Sequence, residues 1–243
     1  MQITKSIHRT LLAGTLVAAS AAMALADFPN RNIEIIHPWG PGNAMAMSQV
    51  VAKAMGEELG TDMPVISLPG AAGTKAQTTA MGKPADGYTI FDGYVAPLVL
   101  QPILGNADWN YKDFKPLSAA VANAFSIAGQ VDETRWSNFE EMMAYCQSNR
   151  GELRYSSGSR NNLPHMVIAK ALKGFDCVAQ NVPYTQDGNV FKDLGSKVLD
   201  FAFINVGNFR SNPDKVKILM VLSELESSKK AFLGAPTIAD LDV

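Results

Sequence analysis

Ser156, Ser157 and Ser159 stand shortly before His165, with Asp187 further along the chain. Hydroxyl, imidazole and carboxylate are the parts of a nucleophilic triad, in which histidine takes the serine proton and the acid orients the histidine. No GxSxG elbow surrounds these serines, so a hydrolase would have to assemble Ser157 or Ser159 with His165 by tertiary geometry alone. The same serines also belong to a second pattern. Gly40-Pro41-Gly42-Asn43, Gly70-Ala71-Ala72-Gly73-Thr74 and Ser156-Ser157-Gly158-Ser159 each follow a strand-like run and precede a helix-like one. Glycine permits positive φ and close backbone approach, so successive amides can converge on a carboxylate or phosphate, while serine, threonine and asparagine add short neutral donors. A single such turn is ordinary turn chemistry, but the recurrence points to a shared cleft for an anionic group. Arg160 follows Gly158-Ser159, where a guanidinium can hold a carboxylate at two points or simply stand in solvent.

Other chemistries find little support. Gly70 to Gly73 followed by Thr74-Lys75 reverses the Walker order, and no GxGxxG opens a helix, so neither ATP nor NAD and no other cofactor is expected. Met45, Met47 and Met55 fall at helical spacing and read as core filler rather than a copper site. His37, beside Pro38 and Trp39 at a strand end, reads as a hydrogen-bonded structural histidine. Cys146 and Cys177 either pair or remain two buried thiols; without histidines nearby they make no zinc site.

The elements that position these turns alternate strand and helix, which argues for α/β layering. Strands are expected at Ile33–His37, Val65–Leu68, Tyr88–Asp92, Leu117–Ala128, Leu153–Ser156, Cys177–Val182, Leu199–Ile204 and Ile218–Leu222. A first helix runs from Ala44 to Gly60 with Met47, Val50, Val51, Ala54 and Met55 as its core stripe. A second carries Phe139, Met142, Met143 and Cys146 inward, is capped at Ser137 or Asn138, and ends at Gly151. Further helices are expected from Pro164 to Lys173 and from Gly188 to Leu194.

The chain of 243 residues opens on Lys5 and Arg9, an apolar run from Leu11 to Met23, and Ala24-Leu25-Ala26. That is the pattern of an export leader cleaved after Ala26, too short and wrongly flanked for a membrane span. Once Lys5 and Arg9 leave with it, 217 residues carry 19 basic against 23 acidic side chains, a net charge of −4. The balance shows no basic stripe for nucleic acid and suits a handler of small molecules outside the cytoplasm.

Several segments, in order, resemble one family. They are Phe28-Pro29-Asn30-Arg31, Pro38 to Gly42, Pro69 to Gly73, Ala85-Asp86-Gly87-Tyr88-Thr89, Ser156-Ser157-Gly158, Val182-Pro183-Tyr184 and Ala235-Pro236-Thr237-Ile238-Ala239. Their series, from Phe28 to Asp240, is similar to that of the solute receptors of tripartite tricarboxylate transporters, the Bug family. The resemblance implies a two-lobed α/β periplasmic binding protein of the type II-like, Venus flytrap form. It would be a monomer and not an enzyme, closing on a small organic acid and delivering it to membrane permease subunits. It also implies ligand contacts at Gly40, Gly42 and Asn43, at Gly73 and Thr74, and from the other lobe at Ser157, Gly158, Ser159, Tyr184 and Asn205; Trp39 and Arg160 complete the expected site. The expected divisions are a leader at 1–26, one lobe at 27–127 and the other at 128–243.

Departures from the pattern shape these expectations. Trp39 and Asn43 bring bulk and an amide where the family has small residues, which favours an aromatic or compact solute. Thr185-Gln186-Asp187-Gly188 replaces a basic residue and glycine, weakening a second cationic contact. The family pattern continues past Val243 through a segment that completes the first lobe, so that lobe is expected to be incomplete. Two other functions remain open alongside the receptor: an exported serine hydrolase, and a solute sensor that signals to a membrane partner.

Overall fold

The structure, a computed structural model, describes residues 28–184 and 187–240. The expected leader, Thr185 with Gln186, and Leu241 to Val243 lie outside the described residues.

The first lobe is built on β1 (Glu34–His37), flanked in parallel by β2 (Val65–Ser67) and β3 (Thr89–Phe91) in the order β2-β1-β3. Ile35, Ile36 and His37 are all buried, the continuous apolar run expected of a parallel strand covered on both faces. Ile33 and Ile35 pack with Ala52 and Met63. Ala52 belongs to α1 (Asn43–Leu59), which ends at Gly60 in the left-handed conformation. The orientation of α1 corrects part of the expected stripe: Met55 packs against the core and Val51 is half-buried, but Met47, Val50 and Ala54 are exposed, and the fully buried positions are Ala52 and Gly56. Close approach explains the choice, because a Cβ on Gly56 would stand 2.6 Å from the Thr61 carbonyl oxygen. The helix therefore turns its small side inward. After β2, a short turn at Ala71–Gly73 leads into α2 (Thr74–Met81). Beyond β3 the chain coils through Ala96–Leu100 and Gln101–Ile103.

The second lobe is a five-stranded sheet of order β6-β5-β7-β4-β8. Its strands are β4 (Phe125–Gln130), β5 (Arg154–Ser156), β6 (Gln180–Asn181), β7 (Phe201–Asn205) and β8 (Val216–Val221). β5 runs parallel to β6 and β7, whereas β4 is antiparallel to β7 and β8. On one face α3 (Phe139–Ser148) and α4 (Leu163–Gly174) bury Phe139, Met142, Met143, Ile168 and Leu172 against Ile127, Tyr155 and Phe201. On the other, α5 (Asp187–Gly195), α6 (Val206–Ser211) and α7 (Glu226–Ala231) bring Val190, Leu194, Phe209 and Phe232 onto Ala128, Ala202 and Ile204. Each fully buried side chain of this size contributes about 1.5–3 kcal/mol, so the two-faced sheet carries most of the described core. Cys146 and Cys177 form a disulfide that ties α3 to the segment before β6. Asn138 caps α3 by accepting from the Glu141 amide at 2.8 Å. Arg135 reaches Glu133 and Asp200 at 2.6 Å each, fastening the loop after β4 to the start of β7.

Two expected strands are shorter than their apolar runs. The run from Leu117 to Ala128 becomes a strand only at Phe125, where β7 and β8 supply partners, and it continues to Gln130. The expected 127/128 junction thus falls inside β4. Of Cys177–Val182 only Gln180–Asn181 pairs, since Cys177 is turned into the core by its disulfide.

Candidate functional site

The candidate turns leave the carboxyl ends of parallel strands, the edge where open α/β sheets hold ligands. β1 ends in His37, fully buried, whose Nδ1 lies 2.6 Å from the Asp92 carboxylate. Ser48 of α1 donates its hydroxyl to the same Asp92 oxygen. Beside this cluster Tyr94 stands edge-on to both His37 and Trp39, at 5.9 and 5.4 Å between ring centres. The Ser67 hydroxyl donates to the Trp39 carbonyl at 2.7 Å. The Pro38 to Gly42 turn is thereby fastened to β2 and β3, and His37 holds the structural role its sequence position suggested. Gly40 is buried, Trp39 half-buried, and Gly42 has extended backbone where α1 begins.

The second turn is tighter. Gly70, Ala71, Ala72 and Gly73 have φ of 140°, 47°, 50° and 93°. Glycine is required at 73 because a Cβ there would lie 2.9 Å from Pro97. The Gly73 amide donates to the Gly70 carbonyl at 2.9 Å, and the Thr74 hydroxyl to the Ala71 carbonyl at 3.0 Å.

In the second lobe β5 runs into Ser157, Gly158 and Ser159. Ser157 is buried and its hydroxyl oxygen accepts from Asn181 Nδ2 at 3.2 Å, while its carbonyl accepts from Asn162 Nδ2 at 3.1 Å. Gly158, at φ 75°, donates its amide to the Ser156 hydroxyl. Ser159 donates its hydroxyl to the Tyr184 carbonyl at 3.4 Å, and the Tyr184 amide donates back to the Gly158 carbonyl at 3.1 Å. The Tyr184 phenol donates to Asp193 of α5 at 2.5 Å; burial and then that carboxylate push its pKa up to about 12. Arg160 is exposed, and burial followed by the Arg160 charge holds the His165 imidazole below its ordinary value. His165 accepts from the Asn161 amide through Nδ1 at 3.2 Å, as a neutral ring can. Among the described residues, neither Ser157 nor Ser159 is hydrogen-bonded to His165, so the nucleophile and base of a triad are not joined.

Among the described residues, two hydrogen bonds between neutral groups join the lobes. Asn43 Nδ2 donates to Asn205 Oδ1 at 3.2 Å, and that oxygen also accepts from the Asn208 amide at 2.9 Å, capping α6. Gln101 Nε2 donates to the Asn161 carbonyl at 2.5 Å, while its Oε1 accepts from Asn106. Gln101, Asn161 and Asn181 escaped the sequence reading. Asn205-Val206-Gly207 was the clearest signal available, an asparagine cap and a glycine directly after a strand. A hollow of about 350 Å³ between α4 and Cys177 contains none of the turn residues.

Two α/β lobes with glycine-containing turns at their strand ends define a class, the two-lobed periplasmic binding protein fold. Similar solved structures include that of the periplasmic binding protein BugD, with a TM-score of 0.71 and 20% identity over 88% of this chain and 72% of that one. Another is MatC from Rhodopseudomonas palustris with bound malate, at TM-score 0.79 and 17% identity over 88% of this chain and 74% of that one. A third, an R. palustris protein with adipate, has TM-score 0.77 and 19% identity over 89% of this chain and 73% of the other.

The chain belongs to the tripartite tricarboxylate transporter family receptors, TctC, whose family profile matches residues 47–242. A UPF0065 protein of Bordetella bronchiseptica is 32% identical, over 98% of this chain and 72% of that protein. Protein BugT of Bordetella pertussis is 24% identical, over 92% of this chain and 70% of that protein. The chain spans only 62% of the length of another B. pertussis UPF0065 protein, to which it is 28% identical over 82% of its own length.

Proposed function

We propose that this chain is an exported periplasmic receptor that captures a small carboxylate between its lobes and delivers it to the membrane subunits of a tripartite permease. The observation that carries the reading is the Asn43–Asn205 bond, which brings the end of the first glycine turn against the other lobe, in a family of transporter receptors. Gly40 and Gly42 would offer main-chain donors from one side, and the Ser157 hydroxyl and Ser159 amide from the other, while the Gly73 and Gly158 amides and the Thr74 and Ser159 hydroxyls hold their own turns in shape. Several aligned N–H and O–H groups compensate a carboxylate for its lost hydration, and the only cation proposed for the site, Arg160, adds a two-point partner. Trp39 would form a wall against the solute's carbon skeleton. The Asn43 amide is held by Asn205 Oδ1 and the Tyr184 phenol by Asp193, so these groups shape the site. Malate and adipate, found with structurally similar proteins, set the scale of solute to try first.

Thermal unfolding of the purified protein against mono-, di- and tricarboxylates tests this. A solute at one hundred times its Kd stabilises the folded state by about 2.7 kcal/mol, an upward shift that is easily read. A cooperative melt that no carboxylate raises would overturn the proposal. Delivery is tested separately by binding of the loaded receptor to permease subunits in membrane vesicles.

A further inference from the structure

The start of α1 and the start of α6 come together across the cleft. Asn43 is the first residue of α1, and its Nδ2 donates to Asn205 Oδ1 at 3.2 Å. Asn205 is already fixed, since the same oxygen caps α6 through the Asn208 amide. Gly207, two residues on, completes the fit: the ideal Cβ position on Gly207 is occupied by the carboxamide of Asn43, whose Nδ2, Cγ and Oδ1 all fall within contact of it. Gly207 is helical, so its backbone does not need glycine; the absence of a side chain is needed by Asn43. A side chain from one lobe therefore enters a socket of two residues in the other, 162 positions away for its hydrogen-bonding partner.

We infer that Asn43, Asn205 and Gly207 form a clasp that positions the two lobes in the closed arrangement and so sets affinity without touching the solute. The inference rests on the receptor reading, in which closure completes the binding site. A solute binds the closed state best, so its apparent Kd scales inversely with the closed fraction, and a contact made only on closure raises that fraction. The clasp residues are thus positioning residues. Gln101 and Asn161 make a second cross-lobe bond, but it uses a main-chain carbonyl and has no comparable socket.

The test uses the full chain, wild type and three variants: Asn43→Ala, Gly207→Ala and the double variant. Alanine is a better helix former than glycine, so Gly207→Ala keeps α6 while its methyl displaces the Asn43 amide. Small-angle scattering of the protein alone should show both single variants shifted toward open forms. Calorimetric affinity for malate or adipate should fall about fivefold in each, the worth of one net hydrogen bond. In the double variant the methyl has no amide to displace, so Gly207→Ala should add nothing to Asn43→Ala. Circular dichroism confirms that each variant is folded, and a loss of affinity with the separation unchanged would place Asn43 on the solute and overturn the clasp. Unchanged scattering and affinity in both single variants, or full additivity in the double, would overturn it as well. If neither acid binds the wild type, the solute reading fails for these acids, and the scattering of the four proteins still decides the clasp.

Discussion

Replacing Cys146 and Cys177 together by alanine gives the most quantitative check on the second lobe. The bridge closes a loop with a sequence separation of 31, joining α3 to the strand segment that leads into β6. Both residues are buried in the core with Met142, Leu172 and Phe201. Closing a loop of that length removes about 12 cal/mol/K of unfolded-chain entropy, or about 3.7 kcal/mol near 25 °C. For a chain of this size that corresponds to a fall in Tm of about 7–15 °C. Melts followed by circular dichroism, for the wild type with and without a phosphine reductant and for the double alanine variant, should show both treatments converging on the same lowered Tm. Solute affinity well below that temperature should be unchanged, because none of the ligand turns contacts the bridge. The reasoning is refuted if alkylation of the unreduced, unfolded protein modifies both cysteines, or if the double variant melts within about 2 °C of the wild type, under 1 kcal/mol.

Arg160→Gln should raise the His165 pKa part of the way toward 6.5, because it removes the charge but leaves the burial that is the larger cause; NMR titration of the ring reads this. The sign for stability follows from the lowered folded value: the unfolded chain takes up the proton first, so stability is lost as pH falls below 6.5, and the variant loses less. Tyr184→Phe should remove a late-titrating tyrosine from the ultraviolet absorbance profile, cost about 1 kcal/mol in urea unfolding, and leave solute affinity intact; a large loss of affinity would place the phenol on the solute. Gly73→Ala combines a left-handed φ of 93° with a 2.9 Å approach to Pro97, so it should destabilise by about 1–3 kcal/mol and weaken solute binding through the displaced turn. Retention of full affinity by that variant would remove the second turn from the site.

Strand positions were largely legible because β1 and β7 are short apolar runs with asparagine or proline at an end, β5 runs into a serine and glycine turn, and β8 follows Pro213; such signals are local. Leu117 to Ala124 has the same composition as a strand yet forms none, because pairing is decided by partners, and β7 and β8 reach only as far as Phe125. The face of α1 was misread for a related reason. The helix carries apolar residues on more than one side, so periodicity found Met47 and Val50, whereas the sheet selected Ala52 and Gly56 for their smallness and Ser48 for Asp92. The turns at the strand ends could be located from glycine and hydroxyl patterns. What each side chain does could not be, because Tyr184 finds Asp193 and Asn43 finds Asn205 only after the tertiary structure has formed.

Among the described residues, two hydrogen bonds bridge the lobes, amide to amide at Asn43 and Asn205 and amide to carbonyl at Gln101 and Asn161. None of these groups carries a net charge, whereas exposed ion pairs such as Arg31 with Asp86 lie within one lobe. Mobile ions weaken interactions between exposed charges beyond about 8 Å at physiological ionic strength, and they have little hold on short bonds between neutral dipoles. In the clasp proposed above, the balance between open and closed lobes would therefore respond little to the salinity of the surroundings. A cell moving between dilute and concentrated media would keep the same readiness to close, and only the charge on the solute itself would register the change.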